Sequence, residues 1–292
     1  MASILDRYGI KEVADVTFYE IDANGDAKNP VLYLDTLKVS TIEQTAETAD
    51  ARGGKGNPKL ISWDYGKEIN VTIEDALFSA KSMAIMFGNG KVNFKNEAIT
   101  RVSVVRAKED GKLPDHFVAD FYKVEQGQTV GGAVREKVYM GTDSTVPAGM
   151  NKLSDTKITL DKLTKEDGTV VQPTGTGDTF TLDDWSGITV GAGEKVFVTY
   201  KVMAATKTIV ISGDSFPGTY YVTGDTYARS DTTGKDQFFQ FIIPKAKVTS
   251  ENTITLEAEG DPSVFSMNLT VLRPESGEMM KLVQYDLTGA AG

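Results

Sequence analysis

Few residues in this 292-residue sequence have the type and spacing that chemistry needs. There is no cysteine, which removes disulfides, thiolate nucleophiles and thiolate metal ligands together. The one histidine, His116, lies in a short link after Pro114, with neither a nucleophile nor an orienting acid at local spacing to complete a catalytic set. Asp22, Asn24 and Asp26 alternate as the first ligands of a calcium loop do. However, the sixth position is Ala27 where the loop needs glycine, and the twelfth is Tyr33 where it needs glutamate. Asn24-Gly25 between two apolar runs fits a hairpin turn better. Gly213 and Gly218 have the spacing of a phosphate-binding loop, but no lysine follows and Tyr220, Tyr221 and Val222 continue as a strand, so nucleotide binding is rejected. Glu257, Glu259 and Asp261 suggest the paired carboxylates of a glycosidase. A solvated strand face running into a turn explains them more simply. No catalytic constellation remains, and no metal or cofactor is expected.

Composition narrows the classes further. The chain carries 41 acidic and 31 basic residues, a formal net charge of −10, which argues against wrapping nucleic acid, because neutralising phosphates takes clustered Lys and Arg. Hydrophobic residues make up 40% of the sequence, enough for a substantial core. The N-terminus lacks the apolar stretch of a secretory signal, and no apolar run approaches the ~20 residues of a membrane helix. The expectation is a protein made in a cytoplasm, with no membrane partner.

The elements that organise the chain lie between residues 59 and 88. Ile69, Val71 and Ile73 alternate with Glu68, Asn70 and Thr72, the period of a half-buried strand. From Ile73 the period changes: Ile73, Leu77, Ala80, Ala84 and Phe87 fall at helical spacing and predict a helix over about 73–87 that packs this stripe on a sheet. Thr72 with Asp75 reads as its capping box, and Gly88 as the left-handed residue that ends it. Elsewhere the chain reads as β. Strands are expected at 13–21, 31–42, 91–94, 101–107, 116–123, 135–140, 194–203, 237–243, 253–258, 264–272 and 279–287. Residues 141–193 shift toward Thr, Gly, Asp and Lys with short strand candidates, including 179–182, and read as an inserted or elaborated β subdomain of a single domain spanning 1–292. Residues 43–59 read as a long irregular loop, because three glycines and Pro58 oppose a regular element. A loop this long in a compact domain tends to be either functional or disordered alone, and the plain alternative is a floppy hairpin tip. Glu43, Glu47, Asp50, Arg52, Lys55 and Lys59 are its candidate contacts with another subunit.

Three stretches carry a resemblance. The run from Trp63 through Asp64, Tyr65, Gly66 and Lys67 to Ile73, Glu74, Asp75, Ala76, Leu77, Phe78 and Ser79 resembles a segment of bacteriophage major tail (tail tube) proteins. So does the run Phe216, Pro217, Gly218, Thr219, Tyr220 taken together with 237–247, and so does 257–274. The resemblance implies a mainly β fold, a tail-tube-like β-sandwich or barrel with one flanking helix and long loops. It further implies a structural virion protein whose hexameric rings stack into the conduit for genome ejection. Its partners would be other copies of itself, other tail proteins, and genome DNA that passes without specific binding. Two alternatives stay open: another virion protein, such as a capsid decoration or tail-completion protein, or a host- or carbohydrate-binding β-sandwich module.

Overall fold

A computed structural model describes residues 7–285 except 11, 89, 122–133, 141–145, 153–157, 172–184, 186, 251 and 253–263. The chain divides into two compact units, one formed by residues 1–93 with 207–292 and the other by Phe94–Thr206. The composition shift at 141–193 falls inside the second unit. The strands expected at 179–182 and 253–258, and the acids Glu257, Glu259 and Asp261, lie outside the described residues.

The first unit opens with β1 (Tyr8–Ile10), β2 (Asp15–Ile21), β3 (Ala27–Leu34), β4 (Leu37–Arg52), β5 (Lys59–Asp75) and helix α1 (Ala80–Phe87). The second unit follows with β6 (Asn93–Arg106), β7 (His116–Phe121), β8 (Val134–Tyr139), β9 (Met150–Lys152), β10 (Ile158–Lys165), β11 (Val170–Val171) and β12 (Lys195–Thr208). The chain then returns to the first unit as β13 (Thr219–Ser230), β14 (Asp236–Val248), β15 (Phe265–Val271) and β16 (Lys281–Tyr285).

In the first unit, nine strands share one sheet in the order β3-β2-β13-β14-β15-β5-β4, with β1 added to β13 and β16 to β14. The second edge of β14 is divided: its end at 246–248 pairs with β15 and its start at 238–242 with β16. The sheet therefore splits along β14, which suits a two-layer β-sandwich closing round a core. That core takes Val16 and Phe18 from β2, Val71 and Ile73 from β5, Phe241 and Ile243 from β14, Leu269 from β15, and Ile85 and Met86 from the helix. Alternation is cleanest in β15, where Phe265, Met267, Leu269 and Val271 are buried and the residues between them are half-exposed. In β14 the buried positions change from odd to even between Ile243 and Ala246, because an irregularity inserts an extra residue at Pro244 and Lys245. A proline fits there, since a bulge asks less of its missing N–H than a regular ladder would.

The helix is shorter than its apolar stripe predicts. Ile73 belongs to β5, which stays extended to Asp75 because both its edges are held: Asp75 pairs with Leu37 of β4 and with Phe265 of β15. Two ladders, together with the β-branched run Val71-Thr72-Ile73, outweigh a helical spacing. The Asp75 carboxylate ends the strand by accepting the Leu77 N–H (3.1 Å) and the Thr36 hydroxyl (2.5 Å). Leu77 then lies in the link, 65% exposed. The capping box is made by Ser79 and Ser82, not by Thr72 and Asp75. The buried stripe is Ser82, Ile85 and Met86, at i, i+3 and i+4, with Ala84 beside it and Phe87 packed partly against the core. Ala80 is half-buried. Gly88 is extended; the left-handed residue is Gly90, whose N–H donates to Ala84 O at 2.9 Å.

The second unit has its own core. A four-stranded sheet ordered β11-β10-β12-β6 and a three-stranded sheet β7-β8-β9 contribute to it, with β8 and β9 parallel. Val196, Val198 and Tyr200 project from β12 among Phe117, Val138, Leu160 and Trp185. The Phe117 ring lies 5.2 Å from Tyr200 and 6.0 Å from Trp185, and the indole N–H of Trp185 donates to Pro114 O at 2.7 Å. This hydrogen bond is why a tryptophan can be fully buried here.

Candidate assembly surface

The segment expected to be an irregular loop is a β-ribbon. β4 and β5 pair antiparallel from Leu37↔Asp75 out to Arg52↔Lys59, so the glycine cluster makes only the turn at 53–58. The expectation failed because β4 is polar or small over this length and gives no apolar period to read, while backbone pairing is indifferent to that. β15 accompanies β5 only from Asn70 to Asp75. Beyond that point β4 and β5 continue as a two-stranded ribbon from Gln44 to Arg52, about 30 Å at ~3.4 Å per residue. Nearly every residue of it is exposed.

An irregularity near its base decides which side chains face which way. β5 advances from Tyr65 to Glu68 while β4 advances only from Thr45 to Glu47. Gly66 sits in this bulge with φ +62°, a left-handed conformation in which a side-chain-bearing residue would be strained. The extra residue transfers the odd positions of β5 from the core side, where Ile69, Val71 and Ile73 lie, to the opposite side. Ile61, Trp63 and Tyr65 therefore share one outer face, at 52%, 54% and 53% exposure, opposite Ala51, Ala49 and Glu47. The reverse face is polar at Thr48 and Asp50, paired to Asp64 and Ser62, while Leu60, 64% exposed, is the extra residue of a second irregularity beside the turn.

The charges singled out in the sequence have different roles in this geometry. Asp50 accepts from Lys59 Nζ at 2.7 Å, from Ser62 Oγ at 2.9 Å and from Arg52 Nη2 at 3.2 Å. The bond from Lys59, then those from Ser62 and Arg52, hold its carboxyl below the usual carboxylate range. Asp50, Arg52 and Lys59 thus brace the tip of the ribbon. Lys55 is exposed in the turn, and Glu43 and Glu47 are exposed on β4. Sequence reading passed over Ile61, Trp63 and Tyr65 as a surface. Their alternation with Ser62 and Asp64 was the available signal.

Of the other motifs, those at Asp22 and at Gly213 lie among the described residues. Asp22 turns back on its own loop, accepting the N–H groups of Asn24 (2.8 Å) and Asp26 (2.9 Å), and the Asp26 bond leads in keeping its pKa low. Among the described residues, no group of three or more His, Asp or Glu side chains could hold a metal ion. Gly213 and Gly218 lead into strand β13, without the helix a phosphate loop requires. No helix among the described residues is long and apolar enough to cross a membrane.

A family model described as the YomU/Tube protein family matches the chain at residues 8–151 and again at 115–284. The chain belongs to this family. It is a family of phage tail tube proteins, which agrees with the β-sandwich and helix α1 seen here and with the resemblance carried by the segments around Trp63 and Phe216. Tail tube proteins are structural proteins of the phage tail. No curated protein matches the chain.

Proposed function

We propose that the chain is the repeating subunit of a phage tail tube, that six copies close into a ring, and that stacked rings form the conduit through which the genome leaves. Family membership carries this reading, and the exposed β4–β5 ribbon supports it. An isolated two-stranded ribbon is marginal in water, so an extension of about 30 Å makes physical sense as an element completed by another molecule. Ribbons that reach from one ring to the next would bind each ring to its neighbour, with the 43–59 segment at the contact. Edge strands β3 and β4 offer unpaired backbone groups through which a sheet can continue between subunits, which also protects those edges.

The charge balance fits a conduit. Six-fold repetition turns each lumen-facing acid into a ring of like charge, and over a screening length of ~8 Å such rings repel DNA phosphates, so the genome slides without sticking. Synthesis takes place in the host cytoplasm, and the mature location is the virion.

Negative-stain electron microscopy of the purified protein, from dilute solution up to high concentration, tests the reading. Hexameric rings and hollow tubes are expected. A protein that stays monomeric throughout, or that assembles only onto capsids, would overturn it in favour of a decoration or completion role.

A further inference from the structure

The ribbon ends in a turn unlike the rest of it. Along its length the charges balance, Arg52, Lys55, Lys59 and Lys67 against Glu47, Asp50, Asp64 and Glu68. Arg52 and Lys59 are moreover drawn in by Asp50. Between Gly53 and Pro58, however, Lys55 is the one charged residue, and it makes no ion pair among the described residues. Gly54 and Gly56 flank it at φ +86° and +87°, with open space where a Cβ would stand on either. Left-handed backbone at both keeps the turn tight, and the lack of side chains keeps it slender. The ribbon thus presents a narrow tip with one ammonium group at its end.

A receptor of fitting size and charge lies elsewhere on the first unit. The turn at 22–26, the irregular stretch of β14 at Pro244 and Lys245, and the link between β15 and β16 enclose a cleft of about 440 Å³. Its charged residues are Asp22, Asp26, Glu275 and Glu278, with Lys245 and Lys281. Glu278 pairs with Lys281, and Asp22 is engaged by the N–H groups of its own loop. The carboxylates of Asp26 and Glu275 make no ion pair among the described residues and outnumber Lys245, so the open cleft has an acidic excess. Strand polarity sets tip and cleft apart. β5 runs away from the tip, and four antiparallel ladders, through β15, β14 and β13 to β2, bring β2 into the same direction. The turn that follows Ile21 therefore lies at the end of its strand away from the tip.

We infer that the cleft beside the Asp22–Asp26 turn receives the Lys55 tip of a second copy, with the ammonium group set between Asp26 and Glu275. This inference rests on the tube reading above and names both halves of the contact between rings. Tip and cleft are different surfaces, so the contact is head-to-tail and repeats without self-limiting, as stacking requires. An exposed charge pair of this kind fixes register and speeds encounter more than it adds affinity. Repetition around each ring supplies the strength.

Charge reversal tests both partners. Lys55→Glu should raise the concentration at which electron microscopy shows assembly by about tenfold or more. Adding Asp26→Lys and Glu275→Lys to that variant should recover most of the loss, since opposite charges face each other again. All three sites are exposed, so melting curves of the dilute subunits should stay close to wild type. The chain has no cysteine, which permits a second measurement. Subunits carrying Lys55→Cys, mixed with subunits carrying Glu275→Cys and oxidised with copper-phenanthroline under assembly conditions, should give disulfide-linked pairs of one with the other. If tubes form but Lys55→Glu assembles like wild type, or reversal at the cleft recovers nothing, or no such mixed pair forms, the cleft is not the receptor and the tube reading survives. If wild type forms neither rings nor tubes, the tube reading fails and this inference with it. Should the charge variants fail to fold, the cross-linking result decides alone.

Discussion

Replacing Ile73 and Leu77 by alanine, one at a time, tests the boundary between strand and helix. Helical spacing puts both residues on one buried stripe. In the structure Ile73 is 1% exposed in the middle of β5, and Leu77 lies 65% exposed in the link before α1. Ile73 touches core on its inner side and has strands on both edges, so the site has little freedom to collapse. Its truncation belongs in the ~2–5 kcal/mol class, about 3 to 4 kcal/mol. Leu77 loses only the third of its surface that folding covers, about 0.5 to 1 kcal/mol of a ~1.5–3 kcal/mol burial. At about 2–4 °C per kcal/mol for a body of this size, Ile73→Ala should lower the melting temperature by about 6 to 16 °C and Leu77→Ala by a few degrees at most. Circular dichroism melts of dilute, unassembled protein measure both. Equal shifts would mean that the helix starts near residue 73 after all and that the double pairing of β5 at Asp75 is wrong.

Gly224→Ala should destabilise the first unit by about 1 to 3 kcal/mol, because a Cβ there would come within 2.1 Å of the Phe241 ring across the β13–β14 pair. Adding Phe241→Leu should recover part of the loss, and fully additive effects would argue against ring-over-glycine packing. The Asp50 clamp predicts a pH dependence. A folded pKa held below the unfolded value of ~3.9 contributes stability that is present above that value and is lost as pH falls through the folded pKa. Amide exchange of the monomer over residues 50–62 should therefore quicken as the pH is lowered below about 4, after correction for intrinsic rates. Asp50→Asn should flatten that acid response, and an unchanged response in the variant would remove Asp50 from the clamp.

The sequence by itself determined the β class and the family resemblance, because both depend on residue type at short range. Alternation marked the inner half of β5, all of β15 and the start of β12, where one side of the strand is buried and the other is not. A hairpin turn at Asn24-Gly25 was legible for the same local reason: Gly25 takes φ +89° there. Tertiary structure decided what depends on partners distant in sequence. Residues 73–75 have a helical spacing and a strand's β-branching, and pairing with Phe265 and Met267, nearly two hundred residues away, settles the choice. The outer half of β4 was hidden because a strand exposed on both faces needs no buried side, and so leaves no hydrophobic signature while still satisfying its backbone hydrogen bonds. The side on which Trp63 stands was fixed by one extra residue at Gly66, which reverses the facing of the side chains from Tyr65 back to Ile61. Such a shift of register exists only once both strands are paired, and with it the ribbon to which the polar stretch 43–59 belongs gains an apolar face at Ile61, Trp63 and Tyr65.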